Sequence, residues 1–290
     1  MKAKKLFFMV AASAVLGAPA ALFTSCSSAD DQIAEATQSE EESTLTTDDI
    51  DLDNVDFPGF GDIRYMDKEG NTLTEMQAEQ QGTKASVLKS EKWTNGQTIY
   101  IKFLNGNSTQ QAKAKKYIAE WGQYVNLKFV YVGSNAKSHI AIAFKWNGDS
   151  SSWSYIGKTG YQNWQKPTIN FGWLTTSTKE KEWSRVVLHE FGHALGMVHE
   201  NQQPNSNIKW NKSLVYWYYK VSDGWSQSEV DAQVFNKYSK SECNSTSFDK
   251  KSIMTYSISF WMTKNWYSQS TVYYLSSTDK SFMKSQYPGK

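Results

Sequence analysis

Apolar and polar side chains alternate from Thr98 to Phe103: Ile99, Ile101 and Phe103 fall on one side, Thr98, Tyr100 and Lys102 on the other. That period of two predicts a half-buried strand. After it the period lengthens. Ala114, Tyr117, Ile118 and Trp121 recur at helical spacing behind Ser108-Thr109-Gln110-Gln111, which reads as a capping box. Residues 127–132 and 139–144 predict two further strands, and 167–171 a short one at the sheet edge. Residues 148–161 are rich in Ser and Gly and predict no element. A second helix is expected over 183–197, with Val186, Val187, Ala194 and Leu195 as its apolar surface. Beyond it, residues 201–290 are aromatic and loop-rich, with one short capped helix at 277–286. Strand, helix, three strands and a second helix make an α+β pattern.

The first third of the chain reads differently. Lys2, Lys4 and Lys5 precede an apolar stretch, Leu6 to Leu22, that is short for a membrane span and carries Gly17 and Pro19. Residues 1–25 therefore read as an export signal. It ends in Leu22-Phe23-Thr24-Ser25-Cys26, which resembles a bacterial lipobox and marks Cys26 for lipidation. Several acyl chains there would hold the protein at a membrane. Residues 27–82 carry sixteen Asp/Glu against Arg64 and Lys68, a net of −14. From Lys84 onward, 26 Lys/Arg meet 13 Asp/Glu, a net of +13. An acidic arm on a basic domain invites docking of one on the other. Its first part, poor in aromatics, reads as a disordered tether that sets the domain off from the membrane, at the outer membrane, the cell surface or beyond. The Lys are scattered and the chain is exported, so nucleic acid is not an expected partner.

Three of the four histidines lie in His189-Glu190-Phe191-Gly192-His193-Ala194-Leu195-Gly196-Met197-Val198-His199-Glu200. His189 and His193, four apart on a helix, project from one face. Gly196 is free to take a left-handed conformation, ending the helix and turning His199 back toward the pair. Three neutral imidazoles with one open position describe a catalytic Zn²⁺ site, with Glu190 close enough to act on what binds there. H-E-x-x-H alone arises by chance in roughly one chain in a hundred of this size. The glycine and third histidine lower that by a further factor of several hundred or more. His139 reads as an ordinary surface or core residue. Cys26 and Cys243 form no disulfide framework, and Cys243 reads as an incidental thiol in a polar loop.

With Ser252-Ile253-Met254-Thr255-Tyr256 added to the long histidine motif, the chain resembles the metzincins, and within them the astacin family. The short cluster is similar to the astacin Met-turn, with Thr255 where a histidine is usual. Trp93…Gly96, Trp153-Ser154-Tyr155-Ile156-Gly157 and Leu275-Ser276…Asp279 extend the likeness. The resemblance implies a zincin-like fold: a twisted mixed sheet, a backing helix, an active-site helix and a loop-rich C-terminal subdomain. It divides the chain into a signal (1–25), an acidic tether and propeptide (26–84) and a catalytic domain (85–290). It implies a monomeric zinc endopeptidase acting on proteins or peptides. Glu190 would be general base and acid, Tyr256 an oxyanion donor and resting fifth ligand, and Met254 a floor under the imidazoles. Glu200 would be a salt-bridge partner of the mature N-terminus, and substrate would add to an edge strand. Phe60-Gly61-Asp62-Ile63 resembles the F-x-G-D motif of astacin propeptides, which makes Asp62 the residue that blocks the zinc in a zymogen. Read from the residues alone, Asp62 is an exposed turn residue. The family's two disulfides are absent. The alternative is a catalytically silent metzincin-like surface binding module that uses its many Trp and Tyr for recognition.

Overall fold

The structure is a computed structural model that describes the backbone of residues 61–66 and 72–73 and the whole of 91–161, 165–245 and 247–290. The export signal, Cys26, the tether and Phe60 lie outside the described residues. No helix among the described residues is long and apolar enough to cross a membrane.

Seven strands form one mixed sheet. They are β1 (Gly61–Met66), β2 (Thr72–Leu73), β3 (Thr98–Phe103), β4 (Lys128–Tyr131), β5 (Ile140–Ala143), β6 (Ser152–Tyr155) and β7 (Ile169–Phe171), in the order β2-β1-β6-β7-β5-β3-β4. β6 runs antiparallel to β7, and β1 antiparallel to β2; the other neighbours are parallel. Two expectations fail here. The strand at 169–171 is interior, between β6 and β5, and its three side chains are buried. Residues 152–155, read as part of a featureless Ser/Gly stretch, form β6. The alternation of Ser152 and Ser154 with Trp153 and Tyr155 was its signal, and all four are buried.

Helix α1 (Ser108–Trp121) backs the sheet, burying Ala114, Tyr117, Ile118 and Trp121. Its capping box begins one residue earlier than expected. The Asn107 side chain accepts from Gln110 N at 2.9 Å, and Gln110 Oε1 accepts from Asn107 N at 3.1 Å. Helix α2 (Glu180–Ala194) packs on α1, and the Trp121 indole donates to Leu188 O at 3.0 Å across that contact. It starts and stops three residues before the expected 183–197. Glu180 and Glu182 suit the positive end of the helix dipole, and Gly196 forces the stop. The stretch expected to be loop-rich also holds α3 (Lys212–Ser222) and α4 (Gln227–Val230), which continues into a π-helical turn at Asp231–Phe235. α5 (Ser277–Gln286) is capped by Ser276 and Asp279.

Two cores result. The larger joins sheet, α1 and α2 through Ile99, Ile101, Ile118, Trp121, Trp183 and Phe191, and it includes Met254. The smaller is built from α3 and the segments around it, through Val215, Tyr218, Val234, Ile258 and Trp261, and it includes Tyr256. The turn at 252–256 therefore has one foot in each.

Candidate metal centre

α2 ends in a Schellman turn. Gly196 (φ +99°) donates to His193 O at 2.7 Å, and Met197 N reaches back to Gly192 O at 2.9 Å. A side chain with a Cβ would be strained at that φ. The reversal carries His199 back beside the helix. His193 Nε2 then lies 3.2 Å from His189 Nε2 and 3.1 Å from His199 Nε2. All three rings are buried.

The far nitrogens identify the tautomers. His189 Nδ1 sits 2.8 Å from Ile253 O, and His193 Nδ1 2.8 Å from Met197 O. A carbonyl only accepts, so each Nδ1 carries the proton and each Nε2 presents a lone pair. Burial holds the His189 imidazolium down at about 4, helped by the Arg185 charge and opposed by the Ile253 carbonyl. Burial likewise holds His193 well below its ordinary value, with His189 adding to the effect. Neutral rings with bare nitrogens facing one another repel unless a cation lies between them. Tetrahedral zinc at about 2.0–2.1 Å from each nitrogen separates the nitrogens by about 3.3 Å, so the donor set fits Zn²⁺.

Around the triad, Glu190 is almost fully buried, and the Tyr256 ring is 4.1 Å from the His199 ring and 6.4 Å from that of His189. Met254 lies beneath, so close to α2 that a Cβ on Gly192 would meet its Sδ at 2.6 Å. Glycine inside a helix costs about 1 kcal/mol relative to Ala; here it makes room for Met254. That glycine was visible in the motif, and its purpose was not. Asp279 was missed altogether as a site residue. Its carboxylate accepts from Ser252 Oγ at 2.7 Å, Ile253 N at 2.8 Å and Ser276 N at 2.9 Å. It thereby holds the turn whose Ile253 carbonyl fixes His189. Burial raises its pKa, and these hydrogen bonds oppose the rise.

Glu200 follows directly on His199, and both line one cavity of about 40 Å³ with Met197, Asp249, Asp279 and Phe282; Cys243, buried and in no disulfide, lines it as well. The Glu200 carboxylate accepts from Asp249 N at 2.6 Å and from the Gln203 amide. Burial pushes its pKa up to about 7, with Asp279 and Asp249 adding to the rise and the Asp249 N–H bond opposing it. It makes no ion pair among the described residues. His139 is not among the three clustered histidines and is held by Tyr100 N, which donates to its Nδ1 at 2.9 Å. Asp62 lies on β1, paired in parallel register with Trp153 of β6, and the β1 backbone also runs against α2.

A family model described as Astacin (Peptidase family M12A) matches residues 85–284. A solved structure of myroilysin is 39% identical, with a TM-score of 0.67, and the match covers 70% of this chain and 98% of that one. A crystal structure of myroilysin is 38% identical with a TM-score of 0.54, covering 69% and 87%. Protein SpAN of Strongylocentrotus purpuratus is 24% identical over 154 residues. That stretch is 50% of this chain and only 23% of SpAN.

Proposed function

We propose the following chemistry for this chain, which belongs to the astacin family of zinc metallopeptidases: hydrolysis of internal peptide bonds at the triad, with Glu190 as general base and then general acid. The observation that carries it is the convergence of three Nε2 lone pairs, two of them fixed by carbonyls behind the rings. His189, His193 and His199 would hold zinc, which when bound would lower the pKa of its water to about 7 and polarise the scissile carbonyl. Glu190 takes the proton of the attacking water and returns it to the leaving amine. The Tyr256 phenol donates to the oxyanion as it develops. Met254 is an apolar floor that keeps the rings from moving, and Gly196 is the hinge that aims His199.

Substrate adds as a strand along β6. In the full chain that edge pairs with β1, which supports a zymogen reading: the acidic arm occupies the substrate's place, and Asp62 is its zinc-directed residue. The buried Glu200 carboxylate and its cavity suit an ammonium group, in keeping with a salt bridge to the N-terminus freed on activation. Upstream, the signal and Cys26 make the protein an exported, lipid-anchored monomer at the membrane or cell surface.

Glu190→Gln is the direct test. It is expected to retain zinc and lose casein hydrolysis; unchanged cleavage would sink the mechanism. Asp62→Asn is expected to raise the activity of the uncleaved chain, and an unchanged basal rate removes the switch. Cys26→Ser is expected to move the protein from the membrane fraction to the soluble one.

A further inference from the structure

The last turn of α2 leaves carbonyls that its own ladder does not satisfy. Three distant segments donate to them. Gly157 N, where the chain leaves β6, donates to His193 O at 2.9 Å as a second donor beside Gly196 N, while the next two carbonyls depend on side chains. The Trp93 indole Nε1 donates to Ala194 O at 2.8 Å, and the Tyr287 hydroxyl, just past α5, to Leu195 O at 2.8 Å. Trp93, Tyr287, Ala194 and Leu195 are all buried, so water does not replace these donors.

The donors are also tied to one another through Glu91-Lys92-Trp93. Trp93 N donates to the Tyr287 hydroxyl at 3.3 Å. Lys92 Nζ donates to Gln286 O at 2.8 Å and to Gln286 Oε1 at 3.3 Å. Glu91 O accepts from Lys158 N at 3.0 Å, and Thr159 Oγ1 donates to Glu91 Oε2 at 3.3 Å. Room for this strap is made at Gly157 (φ +50°), where a Cβ would lie 2.0 Å from Glu91 O. The strap therefore spans the exit of β6, the segment just past α5 and the end of α2.

What it clamps is the part of α2 that aims two ligands. His193 lies in that last turn, its Nδ1 is held by Met197 O beyond Gly196, and the same turn delivers His199. Loosening the Ala194 and Leu195 carbonyls frees the turn and changes the 3.1 Å spacing between His193 Nε2 and His199 Nε2. We infer that Glu91-Lys92-Trp93 is a positioning strap for the metal centre, and that Trp93 and Tyr287 are positioning residues for it. The metal-affinity part of the test does not rest on the peptidase reading above.

The test uses the full chain with Tyr287→Phe, which deletes only the O–H donor, and Trp93→Phe, which deletes the indole N–H together with part of the buried ring system. Zinc affinity is measured by chelator competition, alongside kcat, KM and the thermal midpoint. Both variants are expected to bind zinc about tenfold more weakly, the usual scale for groups that support a ligand from behind. kcat should fall severalfold while KM holds. Zinc affinity within twofold of the parent in both variants, even with a lowered midpoint, would reduce the strap to packing and overturn the inference. If Trp93→Phe does not fold, Tyr287→Phe and Lys92→Ala, which deletes the tie to Gln286 and the ammonium over the Tyr287 ring, decide by the same criterion. A chain truncated to begin beyond Trp93 that keeps the parent's zinc affinity would also overturn the inference. Failure of the parent chain to bind zinc would instead remove the metallopeptidase reading, so the two failures are distinct.

Discussion

On the sheet side of the histidines, aliphatic strands meet two regular helices: Ile99, Ile101 and Ile142 pack against Ile118, Trp121 and Trp183. On the far side short helical turns are held by rings. Tyr219 stacks on Trp225 at 4.9 Å, Tyr218 meets Trp261 edge-on at 5.4 Å, and Tyr216 meets Phe235 at 5.3 Å. The first region carries its polar backbone in ladders, and Tyr100 and Tyr161 are its exposed large rings. The second has few ladders and leaves Phe260 and Trp266 half or more exposed. The metal site takes its ligand helix from the first region and Tyr256 from the second. Cavities and unsatisfied groups are costly in the first region and more easily relaxed in the second.

Zinc removal should break this arrangement most completely. Chelation is expected to abolish activity and to lower stability by about 4 kcal/mol relative to free zinc at a thousand times its Kd. Hydrogen exchange should then quicken more in residues 212–235 and 256–267 than in β3 and β5; equal quickening would mean the regions are one unit. Next comes a pair of core truncations. Trp121→Ala should cost about 3–5 kcal/mol in urea unfolding, including its indole bond to Leu188 O. Trp261→Ala should cost about 2–3 kcal/mol, because its surroundings relax into the gap. If the order reverses, the contrast between the two regions is wrong. At the metal site, Gly192→Ala drives a Cβ into Met254 Sδ, so it should cost about 1–3 kcal/mol and lower kcat. Adding Met254→Ala should recover part of that loss in a double-mutant cycle, with coupling of about 0.5–3 kcal/mol.

The smallest effect concerns pH within the sheet region. Burial lowers the His139 pKa from 6.5, and its Nδ1 accepts the Tyr100 N–H, which only the neutral ring permits. As pH falls below 6.5 the unfolded chain binds this proton before the folded one, so stability declines with acidification until the folded value is passed. His139→Gln should flatten that slope in thermal melts between pH 7 and 5. A slope equal to the parent's would assign it to other groups.

How far the molecule was legible depends on how far its contacts reach along the chain. The His189–His199 set lies within one helix and one turn, so spacing and a glycine were enough to read it. Met254 and Tyr256 were identified by likeness, since nothing local in Ser252–Tyr256 speaks of metal. β3 and α1 declared themselves by period, whereas β7 was assigned to an edge it does not occupy. Strand order is set by pairing across a sheet, and a three-residue strand carries no mark of its neighbours. Asp279 reaches Ile253 across 26 positions, Tyr287 reaches Leu195 across 92, and Trp93 reaches Ala194 across 101. Such side chains look generic in a linear chain: a capping carboxylate, a terminal tyrosine, a core tryptophan. Local order needs only a residue's own conformational preferences and those of its near neighbours, so the linear chain carries it. Which buried carbonyl each distant donor satisfies is settled only when the elements pack, because the cost of leaving that carbonyl unpaired arises only once water has been excluded.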